Sequence, residues 1–288
     1  MNILVIGSTG MAGHVIYQYL SERKDVEIAN IAYRKPLNAS TIIVDVTDKS
    51  AIEKAITEIN PEVIINCVGI LLNGAKNNPA NAVYINAYFP HFLSSIAAKK
   101  KIRLIHISTD CVFSGRKGGY KDNDIKDAQD IYGMSKALGE LINENDLTIR
   151  TSIIGPELKQ SGEGLLHWFL NQEGMIYGYT EAFWSGITTL QLAKVIEQSI
   201  DNNLTGLLQI SNGVKISKFD LLRIFKKVWN KNIIINPIPG KEVDKSLIPS
   251  QCQFKFLIPS YITMCEELAN YMQIHFDQYK HYSKLQHI

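Results

Sequence analysis

Cysteine is scarce in this sequence, and with it any framework of disulfides. The four present, Cys67, Cys111, Cys252 and Cys265, are far apart and show no CxxC or CxH spacing. That pattern excludes a disulfide-stapled secreted scaffold and offers no structural zinc site. Long apolar runs are lacking too, since none approaches the roughly 18 residues that cross a bilayer. The opening Met-Asn-Ile-Leu-Val-Ile-Gly has no basic n-region and meets a glycine at position 7, too early for a secretory signal. No membrane partner is expected, and reduced thiols in a chain of this length fit the cytoplasm. Charge of one sign is also missing. Lys plus Arg is 30 against 28 for Asp plus Glu, a net charge of +2, whereas a nucleic-acid binder concentrates a basic excess on one face. The densest basic run, Lys99-Lys100-Lys101 with Arg103, reads as a solvated helix C-terminus favoured by the helix dipole.

What is present is a core. Hydrophobic residues make up 45% and charged ones 20% of 288 residues, ordinary shares for a globular chain long enough for two compact units. Over residues 1–155, apolar runs at 2–6, 27–32, 41–44, 62–67, 102–108 and 147–151 alternate with helical patterns at 14–23, 50–59, 82–99 and 132–144. Runs such as Val63-Ile64-Ile65 and Leu104-Ile105-His106-Ile107 are apolar almost without interruption, as strands of a parallel sheet covered on both faces must be. The fold class expected is α/β: a Rossmann-type doubly wound parallel sheet, with residues 156–288 forming a smaller α/β substrate-binding unit. Its helix at about 189–201 is able to pack back on the first unit. The segment from Asp277 onward is polar and is expected to fray.

Gly7-Ser8-Thr9-Gly10-Met11-Ala12-Gly13 follows the first strand and opens the first helix. Glycines at this spacing allow a tight turn, close approach of the backbone to a pyrophosphate and close helix–strand packing, with the phosphates at the positive helix end. Gly7, Thr9, Gly10, Met11 and Gly13 are therefore candidate dinucleotide ligands. About 20 residues on, where a carboxylate would bind a free ribose 2′-hydroxyl, stands Tyr33-Arg34-Lys35. Arg34 and Lys35 suit a 2′-phosphate instead, so the cofactor expected is NADPH. Asp45, followed by Val46, is placed to accept from the adenine amino group, and Asp48 reads as a helix N-cap.

Tyr132 and Lys136 lie four apart, on one face of a helix. A lysine ammonium near the phenol is expected to draw its pKa from about 10 toward neutrality, which equips Tyr132 for proton transfer. Such a pair alone carries no weight, because a chain with 13 tyrosines supplies about one by chance. Its context carries it: Thr109 ends the fifth strand, and ligands bind at strand C-terminal ends in open parallel sheets. The histidines, among them His14, His91, His106 and His167, have no ligand spacing and read as structural. No metal is expected.

With Asn66-Cys67-Val68-Gly69, Ile107-Ser108-Thr109-Asp110-Cys111-Val112-Phe113, Tyr132-Gly133-Met134-Ser135-Lys136 and Ile149-Arg150-Thr151-Ser152 added to the glycine run, the sequence resembles the extended short-chain dehydrogenases/reductases. Among them it is most similar to the dTDP-4-dehydrorhamnose reductases. The resemblance implies reduction of the 4-keto group of a nucleotide-activated 6-deoxysugar, for cell-surface polysaccharide synthesis. It makes Tyr132 the proton donor, Lys136 the partner of the nicotinamide ribose and Thr109 the residue that orients the carbonyl. Cys67, Val68 and Gly69 would line the cofactor cleft, and Asn86 would support the site. Cys111, Val112, Phe113 and Trp184 would face the sugar nucleotide. The sequence departs from the family at Cys111, where tyrosine is usual. Lys245-Ser246-Leu247 is a partial echo of the C-terminal signature. A homodimer is admitted, but the first helix lacks the acidic residue that some members use in a magnesium contact between chains. The sugar, the base and any N-acetyl group stay open. So do two rivals: a nucleotide-sugar epimerase or dehydratase, and a non-catalytic NADP-binding regulatory subunit. Elimination lacks its second carboxylate, since Cys111 follows Asp110; a pure binder has no need of Thr109, Tyr132 and Lys136.

Overall fold

The computed structural model describes residues 1–251 and 254–282; Cys252 and the residues from 283 onward lie outside these. Seven strands form the central sheet: β1 (Asn2–Ile6), β2 (Glu27–Ala32), β3 (Ile42–Ile43), β4 (Val63–Asn66), β5 (Arg103–Thr109), β6 (Leu147–Thr151) and β7 (Gly206–Gln209). Their order is β7-β6-β5-β4-β1-β2-β3, with every neighbouring pair parallel. The helices that matter here are α1 (Met11–Ser21), α2 (Lys49–Ile59), α3 (Phe89–Lys100), α4 (Ile131–Leu138) and α5 (Thr189–Asp201). Successive strand residues point to opposite faces, which explains the unbroken apolar runs. In β1, Ile3 and Val5 pack with α1 and α5, while Leu4 and Ile6 pack with α2 and α3. The chain winds outward from β1 in both directions, so a crevice opens at the C-terminal ends of β1 and β4.

The sheet layer does not stop at residue 155. Strand β7 pairs with β6, and Arg103 of β5 donates to the carbonyls of Ser199, Ile200 and Leu204 at the end of α5. Arg23, just past α1, pairs with Glu197 and Asp201 of α5. The rest of the second half adds a parallel pair, Gly174–Tyr179 with Ile233–Ile238, and the helices Lys218–Val228 and Tyr261–Ile274. Ser217 caps the first of these by accepting from the Asp220 amide, and Asp48 caps α2 in the same way through Ala51.

Three expected elements are corrected. The helix expected over 82–99 is broken into Pro79–Val83, a π-helical turn Tyr84–Tyr88, and α3. Pro90 has no N–H to return to the Asn86 carbonyl, and a π turn absorbs that mismatch. The helix expected over 132–144 ends at Leu138. Gly139 lies so close to the Asn86 carbonyl that a Cβ there would sit 1.9 Å from its oxygen, and Glu140 then turns into the core. The segment after Asp277 does not fray as far as Tyr282. Tyr279 and Tyr282 are buried, the first hydroxyl 2.9 Å from His14 Nε2 and the second 2.7 Å from His167 Nδ1.

The largest fully buried side chain is Arg150. Its Nε and Nη2 donate to the two carboxylate oxygens of buried Glu140 at 2.8 and 2.7 Å, and its Nη1 donates to Gln209 Oε1 at 2.7 Å. Burial alone would raise the Glu140 carboxyl, but Arg150, Lys126 and Ser108 together hold it below its ordinary 4.5. Its contribution to stability is therefore complete above about pH 4.5 and is lost as pH falls through the lower folded value. Arg150→Met strands the carboxylate and should cost about 3–5 kcal/mol, whereas Arg150→Met with Glu140→Leu should recover most of the loss. Urea midpoints of the three proteins decide it; a single variant within about 1 kcal/mol of the parent would reduce the pair to a surface-like interaction.

Candidate active site

Two cavities meet at the crevice. One, of about 460 Å³, is lined by Gly7, Thr9, Gly10, Arg34, Asp45 and Val46, among others. The other, of about 390 Å³, is lined by Met11, Thr109, Cys111, Tyr132, Lys136 and Ser152, among others. Gly10, Cys67, Val68, Gly69 and Lys159 line both, so the two are parts of one cleft.

The first cavity is built for a dinucleotide end. Gly7 has φ +87°, and a Cβ on Gly13 would meet the Gly7 carbonyl oxygen at 2.2 Å, so α1 lies directly against the turn. Gly10 caps α1 without a side-chain hydrogen bond, and no acidic residue occupies the first turn. Uncapped amides at a positive helix end are an anion cradle, and these residues fit a dinucleotide phosphate. Arg34 lies 4.6 Å from the Tyr33 ring centroid, at the cavity wall; Lys35 is exposed and lines neither cavity. Asp45 accepts from the Thr47 amide and hydroxyl at 2.9 and 2.8 Å.

The second cavity gathers the hydroxyls. Thr109 ends β5, accepts from the Cys111 amide at 3.1 Å and donates to Asp110 Oδ1 at 3.1 Å. Tyr132 is set by Asp130, whose carboxylate caps α4 through the Gly133 amide at 2.9 Å. The Tyr132 and Thr109 side chains line the same cavity. Lys136, only 4% exposed, donates to the Ile107 carbonyl at 2.7 Å. Asn86, fully buried in the π turn, accepts from the Ile70 amide and donates to the Ile70 carbonyl and Ser135 Oγ. It thereby ties the loop after β4 to α4.

The expected tuning of Tyr132 by Lys136 is corrected. Burial pushes the phenol above its ordinary 10, Cys111, Asp110 and Asp130 add to the rise, and the neighbouring Thr109 hydroxyl offsets part of it. Desolvation outweighs a distant ammonium, and a phenol so placed keeps its proton. Burial takes Lys136 itself down to about 8.

The residues expected to face a substrate divide. Cys111 lines the cleft. Val112 and Phe113 are fully buried, with Phe113 stacked on Tyr120 at 4.1 Å and Arg150 over its other side. Trp184 is 3% exposed and gives its indole N–H to Ser152 Oγ at 2.7 Å; it packs against Tyr261. These aromatics are core, not lining. Sequence reading missed Lys159, at the junction of the cavities, and Lys218, which the helix after Ser217 turns toward Asp110 and Cys111. Lys245, noted only within a partial signature, lies near Cys111 and Asp110. Isolated lysines carry no spacing signal. Among the described residues no group of three or more His, Cys, Asp or Glu is arranged to hold a metal ion, and no helix is long and apolar enough to cross a membrane.

Burial pushes the thiols of Cys67, Cys111 and Cys265 up to about 12. At pH 8 the thiolate fraction is then on the order of 10⁻⁴, and only the thiolate is nucleophilic. Iodoacetamide at that pH should leave all three unmodified in the native protein and alkylate them in urea, as read by peptide mass spectrometry.

The profile described as "RmlD substrate binding domain" matches residues 1–250. A protein named "Probable low-salt glycan biosynthesis reductase" of Haloferax volcanii is 29% identical over 161 residues, 54% of each chain. A dTDP-4-dehydrorhamnose reductase of Mycobacterium tuberculosis is 33% identical over 145 residues, 48% of this chain and 44% of that one. The chain thus spans about half the length of the curated relatives it matches. It shares a fold with the dTDP-4-dehydrorhamnose reductase of Bacillus anthracis, solved in complex with NADP, at TM-score 0.79, 22% identity and coverage of 93% of this chain and 98% of that one. The glycine turn at β1, the Tyr132–Lys136 pair and the matched profile converge: this chain belongs to the RmlD substrate binding domain family, on the fold of the extended short-chain dehydrogenases/reductases.

Proposed function

We propose that this protein is an NADPH-dependent reductase of the 4-keto group of a nucleotide-activated 6-deoxysugar, acting in cell-surface polysaccharide synthesis. The single observation that carries the reading is the gathering of Thr109, Tyr132 and Lys136 at the end of β5 in one cavity, continuous with the glycine turn. The dTDP-4-dehydrorhamnose reductases among the relatives support the sugar-nucleotide class, and the NADP complex of the B. anthracis enzyme supports the cofactor.

NADPH, when bound, supplies a hydride to the carbonyl carbon. The chain's own residues do the rest. Thr109 Oγ1 orients the carbonyl oxygen. Tyr132 Oη, held protonated by its buried surroundings, gives that oxygen its proton. Lys136 holds the nicotinamide ribose, Gly7, Thr9, Gly10 and Met11 hold the diphosphate, and Gly13 lets α1 come close enough for them to do so. Cys67, Val68 and Gly69 form the wall, Asp45 and Val46 hold adenine, and Arg34 reads the 2′-phosphate. Lys35, exposed beside Arg34, adds long-range attraction only. Cys111, Lys218 and Lys245 face the substrate, the two lysines toward its diphosphate. Residues 156–288 contribute most of the substrate side, and the reading includes a cytoplasmic homodimer.

The experiment is NADPH oxidation with a panel of nucleotide-linked 4-keto-6-deoxysugars, dTDP-linked and UDP-linked N-acetylated ones included. Turnover of none of them overturns the reading. Tyr132→Phe should retain cofactor affinity and lose turnover about 10²–10⁴-fold, the usual worth of general acid catalysis; a variant with more than half the parent rate removes the proton-donor role. Arg34→Ala should weaken NADPH about 10- to 150-fold, the worth of one hydrogen bond to a charged group, and leave NADH nearly unchanged. Paired titrations of parent and variant decide it, and equal weakening of both cofactors rules out 2′-phosphate recognition.

A further inference from the structure

His106 sits in the middle of β5, fully buried, and makes two contacts through its ring. Asn66 Nδ2 lies 3.1 Å from its Nδ1, and Lys136 Nζ lies 3.3 Å from its Nε2. Which ring nitrogen carries the proton follows from a third contact. The Val68 backbone amide, which can only donate, lies 3.1 Å from Asn66 Oδ1, and this fixes the orientation of the Asn66 amide. Asn66 Nδ2 is then the donor to His106, so His106 Nδ1 is the acceptor and bears no proton. A neutral imidazole with a bare Nδ1 carries its hydrogen on Nε2, and that hydrogen points at Lys136.

An ammonium has three donors and no lone pair, so it cannot receive a hydrogen from His106. A free amine can, and still has an N–H for the Ile107 carbonyl at 2.7 Å. We propose that His106, set in one tautomer by Asn66, is a positioning residue that holds Lys136 as the free amine in the unliganded chain.

Burial, the largest influence on Lys136, favours the amine. Among the described residues no carboxylate lies within ion-pair distance of Lys136. Glu140, past the end of that helix, favours the ammonium, but its carboxylate is already engaged by Arg150, Lys126 and Ser108. Cys67, from the loop after β4, is a neutral thiol because burial raises it to about 12. Tyr132, on the same helix, keeps its proton. On β5, burial first and then Lys136 and His91 push His106 well below its ordinary 6.5, so it adds no charge of its own. Burial brings Lys136 to about 8, and a hydrogen bond donated by His106 favours the amine further. An unpaired buried ammonium would otherwise be left uncompensated.

The functional weight of the proposal rests on Lys136 belonging to the catalytic pair, but its test needs no substrate and no cofactor, so the two readings fail separately. In the parent chain with ¹⁵N-labelled histidine, long-range ¹H–¹⁵N correlations report the tautomer; His106→Gln assigns the signal. The expected result is an Nε2–H tautomer at pH values above the Lys136 midpoint. With ¹³Cε-labelled lysine, the signal missing in Lys136→Met should titrate with a midpoint below 8, against about 10.4 for surface lysines. Asn66→Asp supplies a carboxylate that accepts from Nδ1–H, which turns the Nε2 lone pair toward Lys136 and should raise that midpoint at least tenfold in proton affinity. A parent His106 protonated on Nδ1, or a Lys136 that titrates with the surface lysines, overturns the proposal. So does an Asn66→Asp protein with an unmoved tautomer and midpoint. The parent spectra stand even where that variant fails to fold.

Discussion

Everything near the cleft is arranged around one charge taken out of water, the guanidinium of Arg150. An arginine fully buried in a sheet strand is tolerable only with its donors engaged, because the desolvation cost is large and geometry alone repays it. Glu140 meets it as a two-pronged partner, and that meeting forces α4 to stop at Leu138 so that residue 140 can turn inward. Ser108 of β5 donates to the same carboxylate at 2.8 Å, and Gln209 of β7 takes a third donor. Four segments are thus held at fixed spacing: the end of β5, the end of α4, β6 and β7. Thr109 stands one residue from Ser108, and Lys136 one turn before Glu140. The position of the reactive pair follows from the position of the ion pair.

The cleft itself is an exercise in keeping groups neutral. Burial holds Tyr132 protonated and keeps the thiols of Cys67 and Cys111 protonated. Cationic side chains stand along its length, with Arg34 at one end, Lys159 at the junction and Lys218 and Lys245 toward the other end. A ligand with an uncharged reacting centre and anionic groups on either side matches that distribution.

Much of this was legible in the sequence, for reasons that can be named. The strands stood out because Val63-Ile64-Ile65 and its counterparts have no polar face. The glycine turn was readable because Gly13 permits a backbone contact that any Cβ would block. Thr109 and Tyr132 were found by their place at the end of one strand and the start of one helix. Where the reading failed, burial was the hidden quantity. Phe113 closes a motif and Trp184 lies on the strand Ala182–Trp184, yet a strand or tight turn sends alternate side chains to opposite sides, and these two went inward. Tyr132 was expected to be acidified by a lysine one turn away, but sequence spacing says nothing about how dry the phenol is. The helix over 82–99 has helical periodicity throughout; only the missing N–H of Pro90 and the close approach of Gly139 reveal the π turn.

The clasp between Tyr279 and His14 has a meaning in time as well as in space. His14 lies one turn after Gly10, and its Nδ1 contacts the Gly10 carbonyl at 2.7 Å while its Nε2 reaches a hydroxyl 265 positions further along. Tyr282, in the same late segment, accepts from the Glu157 amide at 3.0 Å. The glycine turn and α1 form from neighbouring residues, whereas the contact that buttresses them joins groups 265 positions apart. Closing so long a separation is slow relative to local helix formation, so the helix forms early in folding and is latched late.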